Sequence, residues 1–145
     1  MKARALRALA RREYSRAELE RKLAPHAESA EQLRALLDRL VETGLLSNER
    51  FAQSVVHRRA STRGAAVIRH ELRAHGIADE AVAGHLASLQ KSEFERARAL
   101  WSRRFGSPPE SLAERARQSR FLLARGFSAD VVRRVVQGRK DEGTA

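Results

Sequence analysis

Apolar positions along the chain recur at helical spacing and never alternate as a strand would. Leu33, Leu36, Leu37, Leu40 and Val41 fall at i, i+3, i+4, i+7 and i+8, the clearest amphipathic stripe in the sequence. Leu6, Leu9 and Ala10 give an earlier helix, and Leu19 and Leu23 a second. Phe51, Ala52, Val55 and Val56 predict the next, followed by Ile68 with Leu72, and then Val82, Leu86 and Leu89. Phe94, Ala97, Leu100 and Trp101 form another stripe, as do Leu112, Ala116, Leu122 and Leu123. Val131, Val132, Val135 and Val136 resemble a strand in composition, but their i, i+1, i+4, i+5 spacing predicts helix.

The punctuation between stripes is as regular as the stripes. Gly44-Leu45, Gly76-Ile77 and Gly126-Phe127 each pair a glycine with a large apolar residue. Glycine takes the left-handed conformation that ends a helix, and the apolar residue after it folds back on the last turn. Ser47, Asp79 and the Ser128-Ala129-Asp130 segment then start new helices. Ser15 and Glu18 make a capping box, Ser29 is a further cap, and Pro25 closes the helix before it. Ser61-Thr62-Arg63-Gly64 and Phe105-Gly106-Ser107-Pro108-Pro109 break the remaining stripes.

Leu72 and Leu122 stand 50 residues apart, and Leu19 and Leu23 precede Ile68 and Leu72 by 49. Such a period marks a repeat array. The expected fold is all-α: three tandem three-helix repeats (1–44, 45–90 and 91–138) in an elongated, curved array, with 139–145 as a flexible tail.

Charge adds a function class. The 145 residues carry a net charge of +11, from 25 arginines and four lysines against 18 acidic residues, and the last repeat with its tail is the most basic. A basic surface attracts nucleic acid, acidic protein faces or anionic membranes; part of the arginine excess over lysine is also what base composition alone would produce. There is no cysteine, which excludes disulfides and thiolate metal sites. No apolar run reaches the ~20 residues of a membrane span, and none follows the basic amino terminus as in a signal peptide. A cytoplasmic protein is expected.

Chemistry is hard to find. His70-Glu71-Leu72-Arg73-Ala74-His75 approaches a zincin helix. Its histidines are at i and i+5, however, about 140° apart around a helix rather than on one face. There is no phosphate loop and no nucleophile elbow. Most carboxylates lie within a helical turn of a basic residue, as solvated charge pairs do. No enzyme, metal or cofactor is predicted.

Three-helix units with basic residues invite a helix-turn-helix reading, in which the start of the recognition helix meets DNA. Here the third helices begin Ser29-Ala30-Glu31, Ala78-Asp79-Glu80 and Ser128-Ala129-Asp130. Acid in the first turn suits the helix dipole but repels phosphate, so sequence-specific DNA binding is not predicted. Arg11-Arg12, Arg58-Arg59 and Arg103-Arg104 each close the first helix of a repeat. Two readings of these pairs stand side by side: a discontinuous basic track for a partner, or an offset to helix dipoles. Arg117, Arg120 and Arg125 add to the most basic repeat. Phe121 and Trp101 are expected to pack between repeats.

Several of these segments, taken in order, resemble the regulatory protein RecX family. They are Ser15-Arg16-Ala17-Glu18-Leu19 with Leu23, Gly44 through Ala52, then Gly64, Ile68, Glu71-Leu72 and Gly76-Ile77, and finally Arg120-Phe121-Leu122 with Arg125-Gly126-Phe127. Val67 stands where family members often carry a basic residue. The resemblance implies three tandem three-helix repeats and a non-catalytic, cofactor-free, monomeric regulator of the recombinase RecA, acting in homologous recombination, DNA repair and the SOS response. It would bind the RecA–single-stranded DNA filament, touch single- and double-stranded DNA weakly and without sequence preference, and restrain filament growth, strand exchange, ATP hydrolysis and co-protease activity. The arginines just named are the candidate contacts. The alternative is a general basic nucleic-acid-binding module that competes for DNA.

Overall fold

A computed structural model describes residues 1–138, all of whose regular structure is helical. The tail expected over 139–145 lies outside the described residues. The helices are α1 (Lys2–Arg11), α2 (Arg16–Leu23), α3 (Ala30–Glu42), α4 (Asn48–Arg59), α5 (Ala65–Ala74), α6 (Ala83–Lys91), α7 (Glu93–Arg104), α8 (Leu112–Ala124) and α9 (Ala129–Val136), with 3-10 turns at Ala24–His26 and Asp79–Val82.

Local chemistry sets these boundaries. The hydroxyls of Ser15, Ser29, Ser47, Ser111 and Ser128 accept the N–H three residues on, at 3.0–3.2 Å, which satisfies a donor that the helix itself leaves open. Gly44, Gly76 and Gly126 take φ of 78°, 77° and 91°. Leu45, Ile77 and Phe127 then donate to the carbonyls of Leu40, Leu72 and Leu122, the six-to-one bond of a Schellman stop. Ile77 and Phe127 are buried, as expected for the residue after the glycine. At the first stop the expectation fails: Leu45 is 48% exposed and Leu46 fills the core instead. Asp79 opens the 3-10 turn, and its carboxylate takes both Nε and Nη2 of Arg73.

The chain forms two compact units and passes between them within α4, within α5 and between Val82 and Ala83. The first comprises Met1–Val55 with Leu72–Val82. Its core joins Ala5, Ala8, Tyr14, Leu19, Leu23, Leu33, Leu37, Leu40 and Leu46. α1 therefore buries Ala5 and Ala8 while Leu6 is 39% exposed, one residue off the face expected from Leu6, Leu9 and Ala10. Val41, at the edge of the α3 stripe, is also exposed. A side chain at Gly76 would sit 2.7 Å from Ala17 Cβ, and the His75 ring packs edge-on against Phe51 at 5.0 Å.

The second unit comprises Val56–Glu71 with residues 83–138. Phe94, Ala97, Leu100, Leu122, Phe127 and the four valines of α9 make its core, which places the valines on helix as their spacing predicts. Leu112, by contrast, is 84% exposed and Leu123 is 45% exposed, so only part of the stripe expected on α8 faces inward. Trp101 and Phe121 pack on the α7–α8–α9 cluster itself rather than between repeats. The indole N–H donates to Gln118 Oε1 at 2.8 Å, and Phe121 meets Phe105 edge-on at 5.4 Å.

Two polar devices lock this unit. The buried carboxylate of Glu93 accepts the Ala65 N–H at 2.9 Å, capping α5. The Arg96 guanidinium donates to the carbonyls of Ala60, Arg63 and Leu89 at 2.6–2.7 Å, and to Ser92 Oγ. It thereby closes the carboxy-terminal ends of α4 and α6. Burial lowers its pKa, against the nearby Glu93 charge.

Candidate nucleic-acid and filament interface

Each arginine pair sits where the helix boundaries put it, at the carboxy-terminal end of α1, α4 or α7, where a cation also offsets the helix dipole. Their surroundings differ. In the first unit Arg12 is engaged by the fold: it makes two hydrogen bonds to the Glu18 carboxylate, at 2.8 and 3.1 Å, and stacks 3.8 Å over Tyr14. That bond raises the Arg12 pKa. Burial pushes Glu18 up, but the hydrogen bond and charge of Arg12 outweigh it and hold the carboxyl below its ordinary range. Arg11, one residue earlier, is exposed.

In the second unit Arg59 lies 3.2 Å from a Glu71 oxygen, while Arg58 beside it is exposed. Arg103 donates to the Ser61 carbonyl at 3.3 Å. The rest converge on two aromatic rings. Arg104 and Arg125 lie 5.4 and 4.7 Å from the Phe121 centroid, and Arg104 and Arg117 lie 5.9 and 5.5 Å from that of Phe105. Leu100, Arg103, Arg104, Phe121 and Arg125 line one open concavity of ≈ 390 Å³. Among the described residues no carboxylate pairs with Arg104, Arg117 or Arg125, and Arg120 is exposed on the same helix as Arg117. A guanidinium held over a ring by cation–π attraction keeps N–H groups available to an oxyanion.

Carboxylates follow a different rule from the one the sequence implies. Most ion pairs of the described residues join separate elements, as in Arg16–Asp38, Arg50–Glu13 and Arg59–Glu71. Asp130, which takes Arg133 and Arg134 within α9, follows the expected helical spacing.

Comparison with known proteins agrees with this frame. Family models for the second and third three-helix domains of RecX match residues 47–86 and 91–136. The regulatory protein RecX of Ralstonia nicotianae is 59% identical over 138 residues, covering 95% of this chain and 87% of its own. The chain belongs to the RecX family. The regulatory protein RecX of Leptothrix cholodnii is 53% identical over 137 residues, covering 94% of this chain and 87% of that relative. A RecX crystal structure from Lactobacillus salivarius shares the fold at a TM-score of 0.75 and 23% identity, covering 94% and 92% of the two chains. No helix among the described residues of this RecX-family chain is long and apolar enough to cross a membrane.

The sequence sets Arg4, Arg7 and Arg11 on the first helix away from its apolar positions but assigns Arg4 and Arg7 no site. Arg4, Arg7, Arg11 and Lys22 line an open concavity of ≈ 430 Å³ in the first unit, with Ala8, Ala10 and Tyr14. Arg4, Arg7 and Arg11 recur at i, i+3 and i+7, a signal present in the sequence, but the place of Lys22 beside them is set by how α2 packs on α1. Val67 packs against Gly126 in this RecX-family chain.

Proposed function

We propose that this RecX-family chain is a non-catalytic negative regulator of the recombinase RecA, which binds the RecA–single-stranded DNA filament and inhibits its growth, strand exchange, ATP hydrolysis and co-protease activity. The observation that carries this reading is the set of stacked arginines, Arg104, Arg117 and Arg125 on Phe105 and Phe121, which lack carboxylate partners among the described residues. Guanidinium groups held near aromatic rings can bind phosphate or carboxylate oxygens in pairs. The name of the relatives, regulatory protein RecX, supports the same reading.

In this scheme the repeats 1–44, 45–90 and 91–138 each present a pair: Arg11 with Arg12, Arg58 with Arg59, Arg103 with Arg104. Arg117, Arg120 and Arg125 extend the last. Arg12 and Arg59 already serve the fold through Glu18 and Glu71, so the contact falls mainly to the others. Glu31 and Asp130, in the first turns of α3 and α9, oppose insertion of those helix ends against phosphate. The contact follows charge and shape and reads no bases.

Titration of RecA-driven, DNA-dependent ATP hydrolysis tests the proposal. Inhibition well below one molecule per RecA supports capping or groove binding of the filament. No effect until the protein coats the DNA overturns it in favour of simple competition for the strand.

A further inference from the structure

The concavity of the first unit has the chemistry of a site of its own. Arg4, Arg7 and Arg11 occupy one face of α1 over about 10.5 Å of helix, and Lys22 of α2 completes the lining. All four are exposed. None enters an ion pair among the described residues, and no carboxylate lines the concavity. Of the nearby acids along the chain, Glu13 pairs with Arg50 and Glu18 with Arg12, and the exposed Glu20 does not line the concavity. The floor is Ala8, Ala10 and the buried Tyr14. The lining carries four cations and no carboxylate, so a run of oxyanions can meet the cations one after another.

We propose that this concavity binds the phosphodiester backbone of a single nucleic-acid strand, holding roughly two to three consecutive phosphates along α1. It rests on the reading above only in taking DNA as part of the partner, and it adds Arg4, Arg7 and Lys22 to the contact set. Arg12, one residue beyond Arg11, stays outside because Glu18 already neutralises it.

The test is fluorescence anisotropy of labelled oligothymidylate, without RecA, across a salt series. Replacing Arg4 and Arg7 by glutamine should flatten the slope of log affinity against log salt by ~1.4, and weaken binding roughly twentyfold near 0.1 M salt. The control is Arg34→Gln with Arg39→Gln, two exposed arginines of α3 outside the concavity, which removes the same charge and should change affinity far less. Equal losses in both double variants, or no loss in the first, would overturn the site. Unchanged DNA affinity with lost capture of DNA-free RecA would also overturn it, making the face a protein contact. Should the double variant melt early, Lys22→Gln alone is read, with an expected flattening of ~0.7. The two proposals fail separately. Oligothymidylate binding that needs Arg4 and Arg7, without suppression of ATP hydrolysis, sinks the regulatory reading and leaves the site standing; suppression by a variant of undiminished DNA affinity does the reverse.

Discussion

Gly64 and Gly126 meet backbone to backbone: the Gly64 N–H donates to the Arg125 carbonyl at 2.8 Å, and a Cβ on Gly64 would lie 2.1 Å from the Gly126 carbonyl oxygen. No L side chain fits there unless the start of α5 moves off the α8–α9 corner. Gly64→Ala should therefore destabilise the protein by ~3 kcal/mol, at the upper end of overpacking costs. Gly84 in α6 has nothing within 4 Å of its added Cβ, and Gly84→Ala should stabilise by up to ~1 kcal/mol. Denaturant midpoints of the two variants, shifted in opposite directions, are the check.

Arg96 is a second fixed point. Its guanidinium satisfies three main-chain carbonyls, those of Ala60, Arg63 and Leu89. Arg96→Met keeps the stem but leaves these acceptors without their donor, at an expected cost of ~2–3 kcal/mol. Arg96→Lys should recover only part, since an ammonium cannot reproduce the planar fork. Thermal melts of both variants would show the order, and equal melting of Arg96→Met and the parent would refute the assignment.

The Arg12–Glu18 pair makes a pH prediction. Glu18 is held below its ordinary range, so its contribution is present above the unfolded carboxylate pKa and is lost as pH falls through the folded one. Both partners are partly solvated, with side-chain exposures of 50% and 20%, which limits the contribution to ~0.5–1 kcal/mol. Glu18→Gln should be less stable than the parent at neutral pH, and the difference should vanish in acid below the usual carboxylate range. A difference constant with pH would assign the loss to packing or capping instead.

For the stacked arginines, charge and packing separate by mutation. Arg104→Gln, Arg117→Gln and Arg125→Gln together should leave the melting temperature close to the parent's, since all three make only ring contacts at the surface. If these arginines contact the filament as proposed, the same triple variant should flatten the salt dependence of that binding by ~0.7 for each phosphate left without its arginine. Phe121→Ala should lower stability by ~2–3 kcal/mol by removing the packing on Phe105 and the α7–α9 core. Salt-dependent RecA ATPase inhibition, read beside thermal melts, tells the two effects apart.

Much of the fold was legible because helix ends are local chemistry. A serine bonds an N–H three residues on, and a left-handed glycine lets the next residues close on the last turn; both act within a few residues. Every predicted serine cap and all three glycine stops are found where the sequence puts them. Less of the candidate site was legible. The arginine pairs mark helix ends correctly, but nothing along the chain says that Arg12 meets Glu18 or that Arg104 and Arg125 share Phe121.

Periodicity also left the choice of buried face open. On α1 the small Ala5 and Ala8 go inside and Leu6 remains partly exposed, because alanines allow the closer approach of α2. Gly64 reads along the chain only as a break; its need for hydrogen in place of a side chain arises from residues some 60 positions away. The sequence alone determined the all-helical character, the start and stop of most helices and the basic charge, since these depend on neighbours within a turn or on composition. Tertiary structure decided which faces are buried, which cations are neutralised and which remain available, since those depend on which distant segments meet.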